Sequence, residues 1–286
     1  MRTFGFLASL GFTSWKPEEV VRRLAELGYQ AVEWPLAHYN PQTKGRDALS
    51  RLVRVSVAAG LEVSEVGAQH DMLTLDEDLR RSRVNLVREC IQVAGDAGVK
   101  VVNIFTGPAP WDPEAPRLGV DLSEGEAWDI IQQVFDELVL VAERSGVYLA
   151  VEAVFGHLAH DYYTVQELLR RYDSPRLGIN MDPSHYRLYG NDIPWVIRQL
   201  GPRIYHVHLK DVIGRPGVHG KDFMFPMLGE GLIDWRAFVA ALDEIGYTGA
   251  LSVEFESFTY YRTVLKDDPV KAAAISMEQI KALFPA

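Results

Sequence analysis

Residues 176–212, RLGINMDPSHYRLYGNDIPWVIRQLGPRIYHVHLKDV, hold one full repeat of the pattern that decides the fold. RLGINMDPS opens with an apolar, β-like run, IPWVIRQLG reads as a short amphipathic helix, and RIYHVHLKDV is a second β-like run. Two strands joined through a helix pair in parallel, because the crossover returns the chain to the same end of the sheet and buries one of its faces. The unit recurs upstream. RTFGFLASL is followed by PEEVVRRLAELG, YQAVEWPL by DALSRLVRVSVAAG, LEVSEVGAQ by LDEDLRRSRVNLVRECIQVAGDAG, and KVVNIFTG by EGEAWDIIQQVFDELVLVAERSG. VYLAVEAVFG leads to TVQELLRRYDS, and downstream WRAFVAALDEIG, ALSVEFES and DPVKAAAISMEQIKAL complete the series. Gly28, Gly60 and Gly98 stand where a closing helix needs a left-handed residue.

Eight strand–helix units without a composition break predict an α/β fold, a single (β/α)8 TIM barrel over residues 1–286. A doubly wound sheet is the competing architecture, but no Gly-rich phosphate fingerprint follows the first strand. A hydrophobic content of 48% is enough for a large core. The net charge of −10, with no basic run, argues against a nucleic-acid groove, which needs a cationic stripe, and against an anionic membrane surface. One cysteine, Cys90, leaves no internal disulfide and fits a reducing compartment. The apolar start MRTFGFLASLGF lacks a basic leader and reads as a strand, so a cytoplasmic protein is expected.

Four polar residues lie near the ends of the last four apolar strands: Glu152, Asp182, His208 and Glu254. In a TIM barrel these C-terminal strand ends form the active face. Alternation puts Ala150 with Glu152, Asn180 with Asp182, His206 with His208 and Lys210, and Ser252 with Glu254 and Glu256. If those faces point inward, the quartet surrounds one point near the mouth. Two like charges 4 Å apart repel by about 4 kcal/mol at an effective dielectric near 20, so three carboxylates call for a cation. Three oxygen donors and one nitrogen suit one divalent metal ion, Mn²⁺ best, with Mg²⁺, Co²⁺, Fe²⁺ and Zn²⁺ compatible.

DPSH (182–185), HVHLKD (206–211), LGEGLIDW (228–235), LSVEFE (251–256) and AVEAVFG (150–156) resemble the xylose-isomerase-like TIM barrels. That group includes sugar phosphate isomerases/epimerases, ketose 3-epimerases, inosose dehydratases and endonuclease IV-type nucleases. The resemblance implies a metal held by Glu152, Asp182, His208 and Glu254, and a substrate contact for His185. Similarity to the ketose 3-epimerases implies a substrate contact for Arg215, although the spacing after His208 is one residue longer. In the nucleases, extra histidines from strands three and four hold further metals. His70 falls in one such place and stands as a substrate-binding candidate, but strand four carries Asn103 and Phe105. With the acidic charge, this argues against a nuclease. The family also implies a homo-oligomer, a dimer or tetramer.

The chemistry expected of such a site is proton transfer next to a carbonyl. The metal polarises C=O on a keto-sugar or related polyol, and Glu152 and Glu254 act as base and acid around a metal-bound enediolate. Reprotonation on the opposite face epimerises the substrate, on the next carbon it isomerises it, and loss of a β-hydroxyl dehydrates it. An inosose-dehydratase-like lyase is therefore the alternative to an isomerase/epimerase, and a non-catalytic sugar-binding barrel ranks below both. Lys210 either steadies developing negative charge or pairs with Glu256. Glu33 and Glu65, on strands two and three, either bind substrate hydroxyls or pair structurally, and His206 reads as a core histidine. Trp34, Phe6, Trp111 and Phe155 either wall the sugar or pack in the core. His157, His160 and His219 lie in loops that could cap the site.

Overall fold

Short runs rich in Val, Ile and Leu form eight parallel strands in the computed structural model, which describes residues 2–285. They are β1 (Phe4–Leu7), β2 (Ala31–Pro35), β3 (Glu62–Gly67), β4 (Val101–Ile104), β5 (Tyr148–Glu152), β6 (Leu177–Met181), β7 (Ile204–Leu209) and β8 (Leu251–Val253). Each pairs with its successor, and β8 returns to β1, with Phe4 beside Leu251 and Phe6 beside Val253. The barrel is closed, as the eightfold repeat predicts. Outside it lie α1 (Pro17–Leu27), α2 (Ala48–Ala58), α3 (Glu77–Ala97), α4 (Glu124–Ser145), α5 (Tyr162–Leu169), α6 (Ile193–Leu200), α7 (Trp235–Glu244) and α8 (Pro269–Leu283).

Alternation along the strands separates two interiors. Outward-facing residues make the apolar layer under the helices. Trp34 of β2 is fully buried there and its indole N–H donates to Ser56 of α2 at 3.1 Å. Val207 and Leu209 of β7 join the same layer. Inward-facing residues are polar: Glu33, Glu65, Asn103, Glu152, Asn180, His206 and His208 are all buried inside the barrel. Burying that many polar groups is tolerable only if they satisfy one another.

The helices are stopped and started as their sequences dictate. Gly28 and Gly98 close α1 and α3 with φ of 94° and 78°. Ser123 and Glu126 form a reciprocal capping box at the start of α4. The eightfold pattern did not reveal several small elements after the strand ends. These are short helices at Leu36–Tyr39, Pro41–Lys44, Pro183–Leu188 and Phe258–Thr263, and a two-stranded ribbon pairing Ile213–Gly214 with Phe223–Met224. All follow strands on the face where the quartet sits.

Candidate active site

Glu152 ends β5, Asp182 follows β6, His208 lies near the end of β7 and Glu254 directly follows β8. Strand β8 stops at Val253, one residue earlier than the alternation argument assumed, but Glu254 N–H still donates to Leu209 O at 3.3 Å and stays alongside β7. One donor atom from each of the four lies within 4.8 Å of all the others. His208 Nδ1 is 3.4 Å from Glu152 Oε1 and 3.3 Å from Glu254 Oε2. Asp182 is held by the fold in two ways. Its Oδ1 accepts Ser184 N–H at 2.8 Å as the N-cap of the Pro183–Leu188 helix, while Pro183 needs no donor at the first helical position.

The quartet is short of positive charge. Asp182 Oδ2 is buried with the Lys210 ammonium as its charged neighbour. Lys210 Nζ lies 2.8 Å from that oxygen, 2.5 Å from Glu254 Oε2 and 3.1 Å from Glu256 Oε2. Burial alone would push Lys210 down, but these carboxylates hold its pKa well above the usual lysine value. Burial pushes the Asp182 carboxyl up, against the pull of Lys210. Burial likewise raises Glu256 to about 7, although Lys210 opposes it. One ammonium thus serves three carboxylates, and Glu152 lies beyond them. Three carboxylate oxygens and an imidazole nitrogen within 4.8 Å of one another fit a divalent cation, and these four residues could hold one.

Beneath the quartet, a second polar layer fixes His208 from below. Its Nε2 is 3.0 Å from Glu33 Oε2, and Asn180 Nδ2 is 3.1 Å from Nδ1. Burial opposes protonation of His208, but Glu33, Glu254 and Glu152 together raise it well above the ordinary imidazole value. Burial would also raise Glu33, yet the His208 charge holds that carboxyl down at about 2. Glu65 is raised well above the carboxylate range by burial and by Glu33. His206 is pushed down to about 3 by burial, and its Nδ1 is 3.2 Å from Asn180 Oδ1. Glu33, Glu65, His206 and His208 also bring ligand atoms within 4.8 Å of one another.

The residues singled out from sequence are distributed unevenly. Glu152, Glu254, His185 and Lys210 line a cavity of about 640 Å³ at the barrel mouth, with Trp111, Phe155 and His219 in its walls. His185 Nε2 is 3.2 Å from Lys210 Nζ and 3.7 Å from Glu152 Oε1, and burial with Lys210 keeps its imidazole neutral. Glu33 is not in that lining but under His208. Arg215 is exposed on the ribbon loop, and His70 is half-buried near Arg83; neither lines the cavity. Phe6 and Trp34 are core residues. His157 is buried behind Trp111, their ring centroids 5.4 Å apart, and His160 packs on Tyr189. Gln69 and Asn103 did not stand out in the sequence: their amides donate to Glu152 Oε2 at 3.1 and 3.0 Å and leave Oε1 facing the cluster. The inward position of Asn103 on β4 was the available signal.

Sequence relatives share much of this barrel. Over 221 residues the chain is 28% identical to the uncharacterized protein YfiH of Bacillus subtilis, covering 70% of this chain and 69% of the relative. It is 29% identical over 217 residues to an inosose isomerase of Bacillus velezensis, covering 73% and 72%. It is 25% identical over 211 residues to the L-ribulose-5-phosphate 3-epimerase UlaE of Escherichia coli O1:K1 / APEC, covering 72% and 66%. Among solved structures, the IOLI protein with a bound zinc atom superposes with a TM-score of 0.76 at 19% identity, over 99% of this chain and 100% of that one. The family model for xylose isomerase-like TIM barrels matches residues 21–283, from α1 to the end of α8. With the closed barrel and a match over nearly its whole length, the chain belongs to the xylose isomerase-like TIM barrel family.

Proposed function

We propose that this protein is a divalent-metal-dependent isomerase or epimerase acting on a keto-sugar or related polyol. The observation that carries the reading is the convergence of ligand atoms from Glu152, Asp182, His208 and Glu254, of which Glu152 and Glu254 also line the cavity. The sugar-isomerising and epimerising relatives support it. A cation held by the four residues would polarise a carbonyl and acidify the adjoining C–H; Mn²⁺ suits the donor set best.

The chain's own groups supply the proton transfers. Glu152 and Glu254 approach from β5 and the end of β8, so a sugar carbon between them is flanked by two carboxylates. One removes the proton α to the carbonyl and the other, protonated, returns one from the opposite side. Gln69 and Asn103 fix the Glu152 carboxylate. Lys210 lies beside Glu254, where its ammonium favours the negative charge that develops on the enediolate oxygens. His185, neutral and 2% exposed, can orient a substrate hydroxyl. The same machinery permits loss of a β-hydroxyl, so a lyase of the inosose dehydratase kind is the second reading. A cytoplasmic location accords with the single, unpaired cysteine.

The test is α-proton exchange in D₂O with ketoses and keto-inositols on protein reconstituted with Mn²⁺, metal content being measured alongside. Glu152→Gln and Glu254→Gln are each expected to slow exchange by about 10²–10⁴-fold. No exchange across the panel by metal-replete protein would overturn the proposal; stoichiometric water loss would select the lyase.

A further inference from the structure

Lys210 stands at the boundary between the quartet and the cavity, and it is the one Lys or Arg in the cavity lining among the described residues. Its Nζ lies 2.8 Å from Asp182 Oδ2 and 2.5 Å from Glu254 Oε2. A cation in the quartet needs the same two oxygens. Asp182 Oδ1 is already taken by Ser184 N–H at 2.8 Å, which leaves Oδ2. Glu254 Oε2 is the oxygen turned toward the cluster, 3.3 Å from His208 Nδ1. An ammonium and a divalent ion cannot both sit at contact distance from this pair, because positive charges so close together in a buried site repel far more strongly than in water.

The other side of Lys210 is built to keep that ammonium. Glu256 Oε2 is 3.1 Å from Nζ, and its side chain, outside the quartet, is 29% exposed at the cavity wall. Neutral His185 presents Nε2 at 3.2 Å, and Nζ lies over the Phe225 ring, 4.7 Å from its centroid. A lysine ammonium carries three donors on a flexible stem, so rotation of the side chain is enough to exchange partners. The backbone need not follow. Lys210 stands between His208, inside the quartet, and Asp211, whose carboxylate accepts five N–H groups.

We propose that Lys210 is a built-in competitor for the divalent ion. It neutralises Asp182 and Glu254 in the metal-free protein, and when the ion binds it releases them and stays on Glu256. The buried carboxylates thereby have a counter-charge in both states, and the grip on the metal is weaker for it. This rests on the metal-dependent reading of the quartet. Lys210 and Glu256 are then positioning residues that set metal affinity.

Calorimetric titration of the metal-stripped full chain with Mn²⁺ tests it, with the Tm of each protein as a second readout. Lys210→Met should bind Mn²⁺ about tenfold or more tighter than the parent, and should melt below the parent without metal. Lys210→Gln keeps an amide donor for the carboxylates and should show the same tightening, so it carries the test if the methionine variant folds only with metal. Glu256→Gln leaves all four ligands in place but removes the second anchor. It should weaken Mn²⁺ binding about fivefold in the parent and by no more than about twofold beside Lys210→Gln. The proposal is overturned if both neutral variants bind Mn²⁺ no tighter than the parent, the result expected of a lysine that only props up the ligand carboxylates. It is equally overturned if Glu256→Gln weakens both backgrounds alike. A parent that binds no Mn²⁺ would remove the metal reading itself. Binding and α-proton exchange by the parent, without tightening in the variants, would remove this inference alone.

Discussion

Replacing Asp211 should loosen the cavity wall and cost a large part of the protein's stability. Asp211 is fully buried just past β7. Its Oδ1 accepts N–H groups of Val212 at 2.9 Å and Ile233 at 3.2 Å. Its Oδ2 accepts those of Gly229 and Gly231 and the Trp235 indole, each at 3.1 Å. One carboxylate therefore pins both ends of segment 211–235, which carries Val218, His219 and Phe225 to the cavity. Gly231 permits this approach, since a Cβ there would overlap Asp211 Oδ1. Hydrogen bonds to a charged acceptor contribute ~1.5–3 kcal/mol each, so a plain sum over five reaches roughly 8–15 kcal/mol. That equals the stability of a typical domain, about 5–15 kcal/mol, and overstates the effect. Gly229 is exposed and Gly231 half-buried, so their freed N–H groups regain water; Val212, Ile233 and the Trp235 indole do not. Asp211→Ala should therefore cost about 3–5 kcal/mol, at the upper end for single substitutions. Asp211→Asn keeps one acceptor oxygen but turns an NH₂ toward donors, and should cost about 2–3 kcal/mol. Urea unfolding measures both, and hydrogen exchange at residues 229–233 reads the loop directly. If Asp211→Asn lies within about 0.5 kcal/mol of the parent and exchange is unchanged, the carboxylate is not the clamp.

Three further outcomes follow from burial and charge. Mn²⁺ at about 100 times its Kd should stabilise the metal-stripped protein by ~2.7 kcal/mol, read as a rise in Tm. Asp182→Asn should abolish that rise, and an undiminished rise would place the ion elsewhere. Cys90 is fully buried and burial pushes its thiol up to about 12, so a disulfide reagent should leave it untouched in the native state and modify it fully in denaturant. His157 is 1% exposed with both ring nitrogens unpartnered, and burial, aided by His160, lowers it to about 3. The folded state then binds fewer protons than the unfolded chain below the usual value of 6.5. The stability this residue permits is full above that pH and falls as pH drops toward 3, with a slope of up to about 1.4 kcal/mol per pH unit. His157→Phe should flatten the acid limb of the stability curve; an unchanged limb would show that protons enter elsewhere.

The barrel was legible because each strand is an apolar run and each helix is closed by a residue of distinct backbone preference, such as Gly28 or Gly98. The quartet was legible because alternation fixes faces: Glu152 must share a side with Ala150, and His208 with His206. What alternation cannot supply is distance across the barrel. That Glu33 of β2 meets His208 of β7 depends on β8 returning to β1, a closure no local pattern encodes. Loop residues were harder still. Arg215 and His70 rested on resemblance to branches of the family, but the ribbon at Ile213–Gly214 and Phe223–Met224 leaves Arg215 in solvent, and His70 stays outside the cavity lining. The Pro183–Leu188 helix was written in the sequence as Asp-Pro, an N-cap before a first-turn proline; read as a strand end, that signal was passed over.

His208 connects the two polar layers, and its two nitrogens make different demands. Nε2 faces Glu33 and Nδ1 faces Glu152 and Glu254, so the ring is oriented from below before anything arrives from above. A histidine that donates one N–H to a carboxylate presents its other nitrogen as a fixed, more basic donor. The buried glutamate of β2 is thereby a reason for the geometry at the mouth. A ring left free to flip would give the quartet three oxygens and no dependable nitrogen. The walls follow the opposite logic: Trp111 and His219 sit on loops, and there the barrel can change what it admits without disturbing what the floor does.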